Sequence, residues 1–208
     1  NLGRDVFSRV LVAARLDLAI AVAAVALAGV VGAALGAAAG YWGGWIDAAV
    51  GRLVDTIMAF PLFVLAMGIV AALGNTIENI VYATAIINLP FYARVVRSEV
   101  QIRRDAGFAQ AARLAGGTDL QVLALHIFPN ALPALMVQVS LNMGWAILNA
   151  AGLSFIGLGV RPPTPEWGIM VAEGANFIVS GEWWLAIFPG LALMLAVFTF
   201  NLLGDGLR

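Results

Sequence analysis

Between Asp17 and Asp47 the chain reads LAIAVAAVALAGVVGAALGAAAGYWGGWI (18–46), 29 residues without a charged side chain. About 20 apolar residues are enough for a helix to cross roughly 30 Å of hydrocarbon, so this run alone predicts a membrane-spanning helix. Within it Gly32, Gly36 and Gly40 recur every fourth residue, with Gly29 and many alanines around them. That spacing puts a flat strip along one helix face, where a neighbouring backbone can approach closely. Such a helix packs among other helices and is not surrounded by lipid.

The same reading extends along the chain. Charge-free gaps predict spans at about 18–41, 55–75, 78–94, 130–152 and 183–204, the third completed by an Arg94 side chain that can snorkel to the interface. Pro61 and Pro90 fall inside the second and third spans and mark kinks. Trp183-Trp184 opens the fifth, as expected where a helix meets the headgroup region. The fold class is therefore all-α, a polytopic helical membrane protein forming a single domain over 1–208, with a polar segment at about 95–125 and a loop at about 154–182.

Composition agrees and excludes much else. Of the 208 residues 62% are hydrophobic and 11% charged, against about 25% charged in soluble domains, and mean hydropathy is +0.95. All 11 basic residues are arginine. Without lysine there is neither a P-loop nor a Schiff-base site. Without cysteine, and with one histidine, there is no thiol nucleophile, zinc finger or His-pair metal motif. So few cations also argue against nucleic acid as a partner. The expectation is a chain that is not an enzyme and holds no cofactor or metal.

Sidedness follows from arginine. Arg94, Arg97, Arg103, Arg104 and Arg113 crowd one segment, which the positive-inside rule places in the cytoplasm. Alternation adds Arg52 and Arg208 inside and leaves Arg4, Arg9, Arg15 and Arg161 outside. Asn1 then lies outside, and the expectation is that a further helix precedes it. No signal-peptide pattern occupies the start, where Arg4, Asp5 and Arg9 interrupt any apolar stretch.

No span carries an ionisable residue at mid-depth, so a proton relay or voltage sensor has no candidate. The fourth span instead presents Gln138, Asn142 and Asn149, spaced four and seven apart and so on one helix face. Two readings stand side by side: a lining for a polar solute's path, or hydrogen-bonding glue between helices.

The segment Asp105–Ala115 (DAGFAQAARLA) reads as a short helix offering Phe108, Ala111, Ala112 and Leu114/Ala115 as a small apolar surface. Gly116-Gly117 stops it. Thr118-Asp119-Leu120-Gln121 then has the form of a capping box and starts another helix. Helix, glycine turn, helix is the result. Spacing alone fits a docking element for a partner or an interfacial hairpin without one.

These residues carry a resemblance. The segment resembles the signature of the membrane-spanning permease subunits of binding-protein-dependent ABC importers: E-A-A, three residues, G, nine residues, I-x-L-P. Ala111, Ala112, Gly116 and Pro129 fall at matching offsets, while Gln110, His126 and Phe128 replace Glu, Ile and Leu. Gln110 can offer a hydrogen bond but not the salt bridge of a glutamate. His-Ile-Phe-Pro-Asn (126–130) looks like the variant of the peptide and nickel branch. GRDVFSRVLVAAR (3–15), GYWGGWID (40–47), GLSFIGLGVRPPTPEWG (152–168) and FNLLGDGLR (200–208) also resemble C-type subunits of dipeptide and oligopeptide importers, so the likeness runs along the whole chain.

The resemblance implies a type I ABC importer transmembrane fold with six helices in the intact subunit, in the bacterial or archaeal inner membrane. It implies a second permease, two cytoplasmic ATPase subunits that bind ATP and Mg, and an extracytoplasmic substrate-binding protein. Phe108, Gln110, Ala111, Ala112, Gly116, Gly117, Thr118 and Asp119 would dock on the ATPase and transmit its closure. The substrate implied is a peptide, with nickel or another small solute as the alternative within the branch, and a non-transporting membrane assembly subunit as the alternative outside it.

Three features have modest readings. His126 is more simply an interfacial hydrogen-bonding group than a gate. Gly152-Leu153-Ser154-Phe155-Ile156 lacks the second glycine of a serine nucleophile motif. The proline-stiffened loop with Arg161, Pro162, Pro163, Pro165, Glu166 and Trp167 fits either a contact for a binding protein or a cap folded on the spans.

Overall fold

The computed structural model describes residues 5–207, all helices and connecting turns. Residues 1–4 and 208, which include Arg4 and Arg208 of the charge count, lie outside the described residues. Among the described residues four helices are long and apolar enough to cross a membrane: α1 (Val6–Trp42), α4 (Ile77–Arg103), the continuous stretch Asp119–Phe155, and α9 (Trp184–Leu207). The stretch from Asp119 comprises a first turn α6 (Asp119–Gln121), a π-helical segment (Val122–Ile127) and α7 (Phe128–Phe155). A fifth crossing is available only as a bent pair, α2 (Gly44–Met58) with α3 (Leu62–Leu73).

That pair departs from the single span read at 55–75. The axes turn by 88° at Pro61, which has no amide hydrogen to continue the ladder and disfavours helical backbone just before it. With 12 residues α3 rises only about 18 Å, too little to cross alone. α2 is held against α4 by ion pairs. Arg97 binds Asp47 through both carboxylate oxygens, the Nη2–Oδ2 bond being 2.7 Å, and Arg94 Nη2 lies 3.0 Å from Asp55 Oδ1. The other proline, Pro90, is buried within α4, which runs on through it.

α1 is also longer than the gap between charges suggests. Asp5 caps it, accepting the Phe7 and Ser8 amides, so helix begins at Val6 rather than near 18. Its glycine strip lies directly on α4. A Cβ at Gly32 would come 2.8 Å from the Leu89 carbonyl oxygen, and one at Gly40 2.6 Å from that of Arg97, with Gly36 equally tight against Ala93. The α1–α4 pair is the most extensive in the bundle.

The two ends of the bundle differ. At one end Trp167, the first residue of α8 (Trp167–Ala175), donates its backbone N–H to Asp17 Oδ2 at 3.1 Å and its indole N–H to the Val10 carbonyl at 3.0 Å. Glu166, fully buried, caps α8 through the Gly168 and Ile169 amides at 2.8 Å each. Arg9 pairs with Glu173 at 3.5 Å, and Asn75 donates to the Gly157 carbonyl at 3.0 Å. A Cβ at Gly168 would overlap the Ala151 carbonyl oxygen, and one at Gly174 would come 2.6 Å from the Leu185 carbonyl oxygen. α8 is thus wedged between α7 and α9, and the loop is a folded cap. The other end carries α5 (Gly107–Leu114) and its turn.

Candidate functional site

The hairpin at that second end is built by local chemistry. α5 stops in a Schellman turn: Gly116 N–H donates to the Arg113 carbonyl and Gly117 N–H to that of Ala112, both at 3.0 Å. Gly116 has φ +89°, a left-handed conformation strained for any residue with a Cβ. A Cβ at Gly117 would sit 2.9 Å from the Ala112 carbonyl oxygen. The two glycines therefore serve different ends, one a backbone conformation and the other a close approach.

The capping box of the next helix is complete. Thr118 N–H donates to Gln121 Oε1 at 2.9 Å and Gln121 N–H returns to Thr118 Oγ1 at 3.4 Å. The helix then loosens into its π segment, ending where Pro129 withholds an amide; Asn130 Nδ2 covers the His126 carbonyl at 2.6 Å. His126 itself is exposed. Ser154 is buried near the opposite end, its hydroxyl accepting the Val160 amide at 3.2 Å, so the two do not meet.

Burial splits the hairpin into two faces. Ala109, Val122 and Ile127 are fully buried and belong to one core cluster with Tyr41, Val96 and Val100, against which Ala112 also packs. Phe108, Gln110, Ala111, Thr118 and Asp119 are exposed, and so are Leu114 (89% exposed) and Leu120 (65%). Gln110 turns its amide back on the Asp105 carbonyl at 2.9 Å. The result is a rigid hairpin with an uncovered apolar outer face, the kind of surface that marks an interaction site.

The hairpin is tied to α1 as well. The Tyr41 hydroxyl donates to Asp119 Oδ1 at 2.8 Å, the Arg113 guanidinium lies 5.5 Å from the Tyr41 ring centroid, and Arg104 Nη1 reaches the Gly40 carbonyl at 3.4 Å. Neither Tyr41 nor Ala109 is singled out by sequence. GYWGGWID gives no hint of a contact 78 positions away, whereas Ala109 stands one helical turn before Arg113 and periodicity alone leaves its face open.

The polar stripe of α7 is less uniform than its spacing. Gln138 Nε2 donates to Asn142 Oδ1 at 3.0 Å. Asn142 is turned into the protomer at 3% exposure, while Gln138 and Asn149 are half-buried. Among the described residues Asn142 Nδ2, Tyr92 Oη and Thr84 Oγ1 are buried without a hydrogen-bond partner.

Residues 32–208 match the model of the binding-protein-dependent transport system inner membrane component. The chain belongs to this permease family. The whole chain aligns with a dipeptide transport system permease of Alkalihalophilus pseudofirmus at 44% identity, covering 68% of that protein. It aligns equally with a probable D,D-dipeptide transport system permease of Escherichia coli at 44% (70% covered) and a glutathione transport system permease of Pectobacterium atrosepticum at 42% (69% covered). The permease accordingly has the helical transmembrane fold of type I ABC importers and is an inner-membrane component. The matched region contains the hairpin, the α7 stripe and the α8 cap.

Proposed function

We propose that the permease is the transmembrane subunit of an ATP-driven peptide importer, and that its hairpin is the element through which ATP hydrolysis drives transport. The permeases it resembles are named for dipeptides, D,D-dipeptides and glutathione, and a short peptide is the substrate class they share. ATP and Mg belong to two partner ATPases, since this chain has no lysine for a P-loop. A second permease completes the pathway, and an extracytoplasmic binding protein delivers the substrate at the α8 end.

The observation that carries the reading is the uncovered apolar face of Phe108, Leu114 and Leu120 on a hairpin whose inner face is locked into the core. A distant gate responds to nucleotide only if both bias the same two-state element, and a hairpin fixed by its glycine turn and capping box is suited to that. The five arginines between 94 and 113 support a cytoplasmic location for this end. Gln138 and Asn149, which keep contact with the surface of α7, supply the neutral polar lining, with Asn142 holding Gln138 from behind.

The test is the complete complex with its binding protein in liposomes. Ala112→Asp places a carboxylate beside the core cluster under the hairpin; the expected outcome is ATP hydrolysis that no longer drives uptake of a labelled dipeptide. Wild-type uptake would refute the docking assignment. Dipeptide-stimulated hydrolysis in the wild-type complex separates a transporter from an assembly subunit, and uptake of nickel but not dipeptide would overturn the substrate class.

A further inference from the structure

Tyr41 stands at the end of α1, one residue before the helix stops at Trp42 and Gly43 turns to φ +64°. Its side chain touches both limbs of the hairpin. Its ring lies under Arg113 in the last turn of α5, and its hydroxyl bonds Asp119 in the first turn after Gly116-Gly117. The ring is buried with Val96 and Val100 of α4. From there α1 leads away along Gly40, Gly36 and Gly32, each with no room for even a methyl group against α4. Hairpin, α1 and α4 thus meet at one place, the hairpin through its buried face, the Arg113–Tyr41 contact and the Tyr41 hydroxyl at its turn.

We propose that Tyr41 is a positioning residue for coupling, transmitting displacement of the hairpin directly to α1 in addition to the covalent routes through α4 and α7. This rests on the docking function proposed for the hairpin. A bond from a phenol to a carboxylate is directional, and it spans the glycine turn, so it also fixes the angle between the limbs. Losing the hydroxyl leaves the ring and its packing in place, and removes the hydroxyl's links to Asp119 and to Arg113.

The experiment compares transport per ATP hydrolysed in liposomes containing the full complex for Tyr41→Phe, Asp119→Ala, the double variant and Ala112→Asp. Tyr41→Phe is expected to assemble and hydrolyse ATP while transport per ATP falls about fivefold, the effect of losing one hydrogen bond. Asp119→Ala should lower the ratio as well, and the double variant no further than Tyr41→Phe, because the bond to Asp119 is already gone once the hydroxyl is removed. A merely structural role would lower the amount of complex without changing the ratio, and that result overturns the proposal, as do additive losses. If Tyr41→Phe keeps the wild-type ratio while Ala112→Asp uncouples, Tyr41 is dispensable and the docking function stands. If Ala112→Asp keeps the wild-type ratio, the docking function fails and the role of Tyr41 with it. Should Tyr41→Phe not insert, Asp119→Ala tests the same bond from its other end.

Discussion

At the scale of single residues, the glycines of this chain fall into groups that sequence does not distinguish. Gly116 is set by its dihedral angle, Gly117 by the carbonyl of Ala112, and Gly51 by neither, having open space around it inside α2. Thermal unfolding in detergent should separate them. Gly116→Ala is expected to destabilise by about 1–2 kcal/mol, the left-handed penalty for an L-residue. Gly117→Ala should destabilise as well, through overlap with the Ala112 carbonyl. Gly51→Ala should stabilise by about 0.5–1 kcal/mol through the restricted unfolded chain. Thr118→Ala removes one half of the capping box and is expected to cost about 1 kcal/mol, seen as faster amide exchange at Gln121. The turn and the box are legible in the sequence because their hydrogen bonds join residues three to five apart.

At the scale of elements, the glycine strip of α1 and the ion pairs of α2 hold the bundle near its hairpin end. Gly36→Leu cannot be accommodated by side-chain motion, because its nearest neighbours are backbone atoms of Ala93. The expected outcome is loss of folded protein on size-exclusion in detergent, whereas Gly190→Leu in α9, with nothing nearby, should elute normally. The attachment of α2 has its own test, made simple by the absence of cysteine. Val50→Cys, on the buried face of α2, should resist maleimide and become reactive when Arg94 and Arg97 are both changed to methionine. The small-residue strip signals close packing in the sequence, but not which helix answers it. Pro61 signals a break, yet the direction of the turn depends on Asp47 and Asp55 finding arginines of α4, some forty to fifty residues on.

At the scale of the whole molecule, two ends with different chemistry sit across one apolar bundle. Leu114 stands out at the hairpin end and Val179, 99% exposed, in the turn after α8 at the other. Single cysteines at these positions give the orientation directly. In intact cells an impermeant maleimide is expected to label Val179→Cys, and Leu114→Cys only after permeabilisation; the reverse pattern would invert the topology. The α8 part of the proline-rich loop folds onto the spans, while Arg161, Pro162 and Pro163 stay exposed. Its Trp167, Glu166 and Gly168 face inward, against Asp17, α8's own amides and Ala151.

Sequence alone determined the helical membrane architecture, because water and hydrocarbon sort charge from apolar surface along the chain. It also determined the hairpin, because caps and glycine turns are made by near neighbours. It read an apolar span from about 18, and the helix that carries this span runs back to Val6 through Arg9, Arg15 and Asp17. Asp17 and Arg9 find their partners far away in the chain, in the Trp167 amide and the Glu173 carboxylate. Only the tertiary structure decided that α2 and α3 fold at 88°, that Asn142 turns inward, and that Tyr41 meets Asp119. In each case the deciding contact joins residues on different helices, and hydropathy along one chain carries no record of which helices lie side by side.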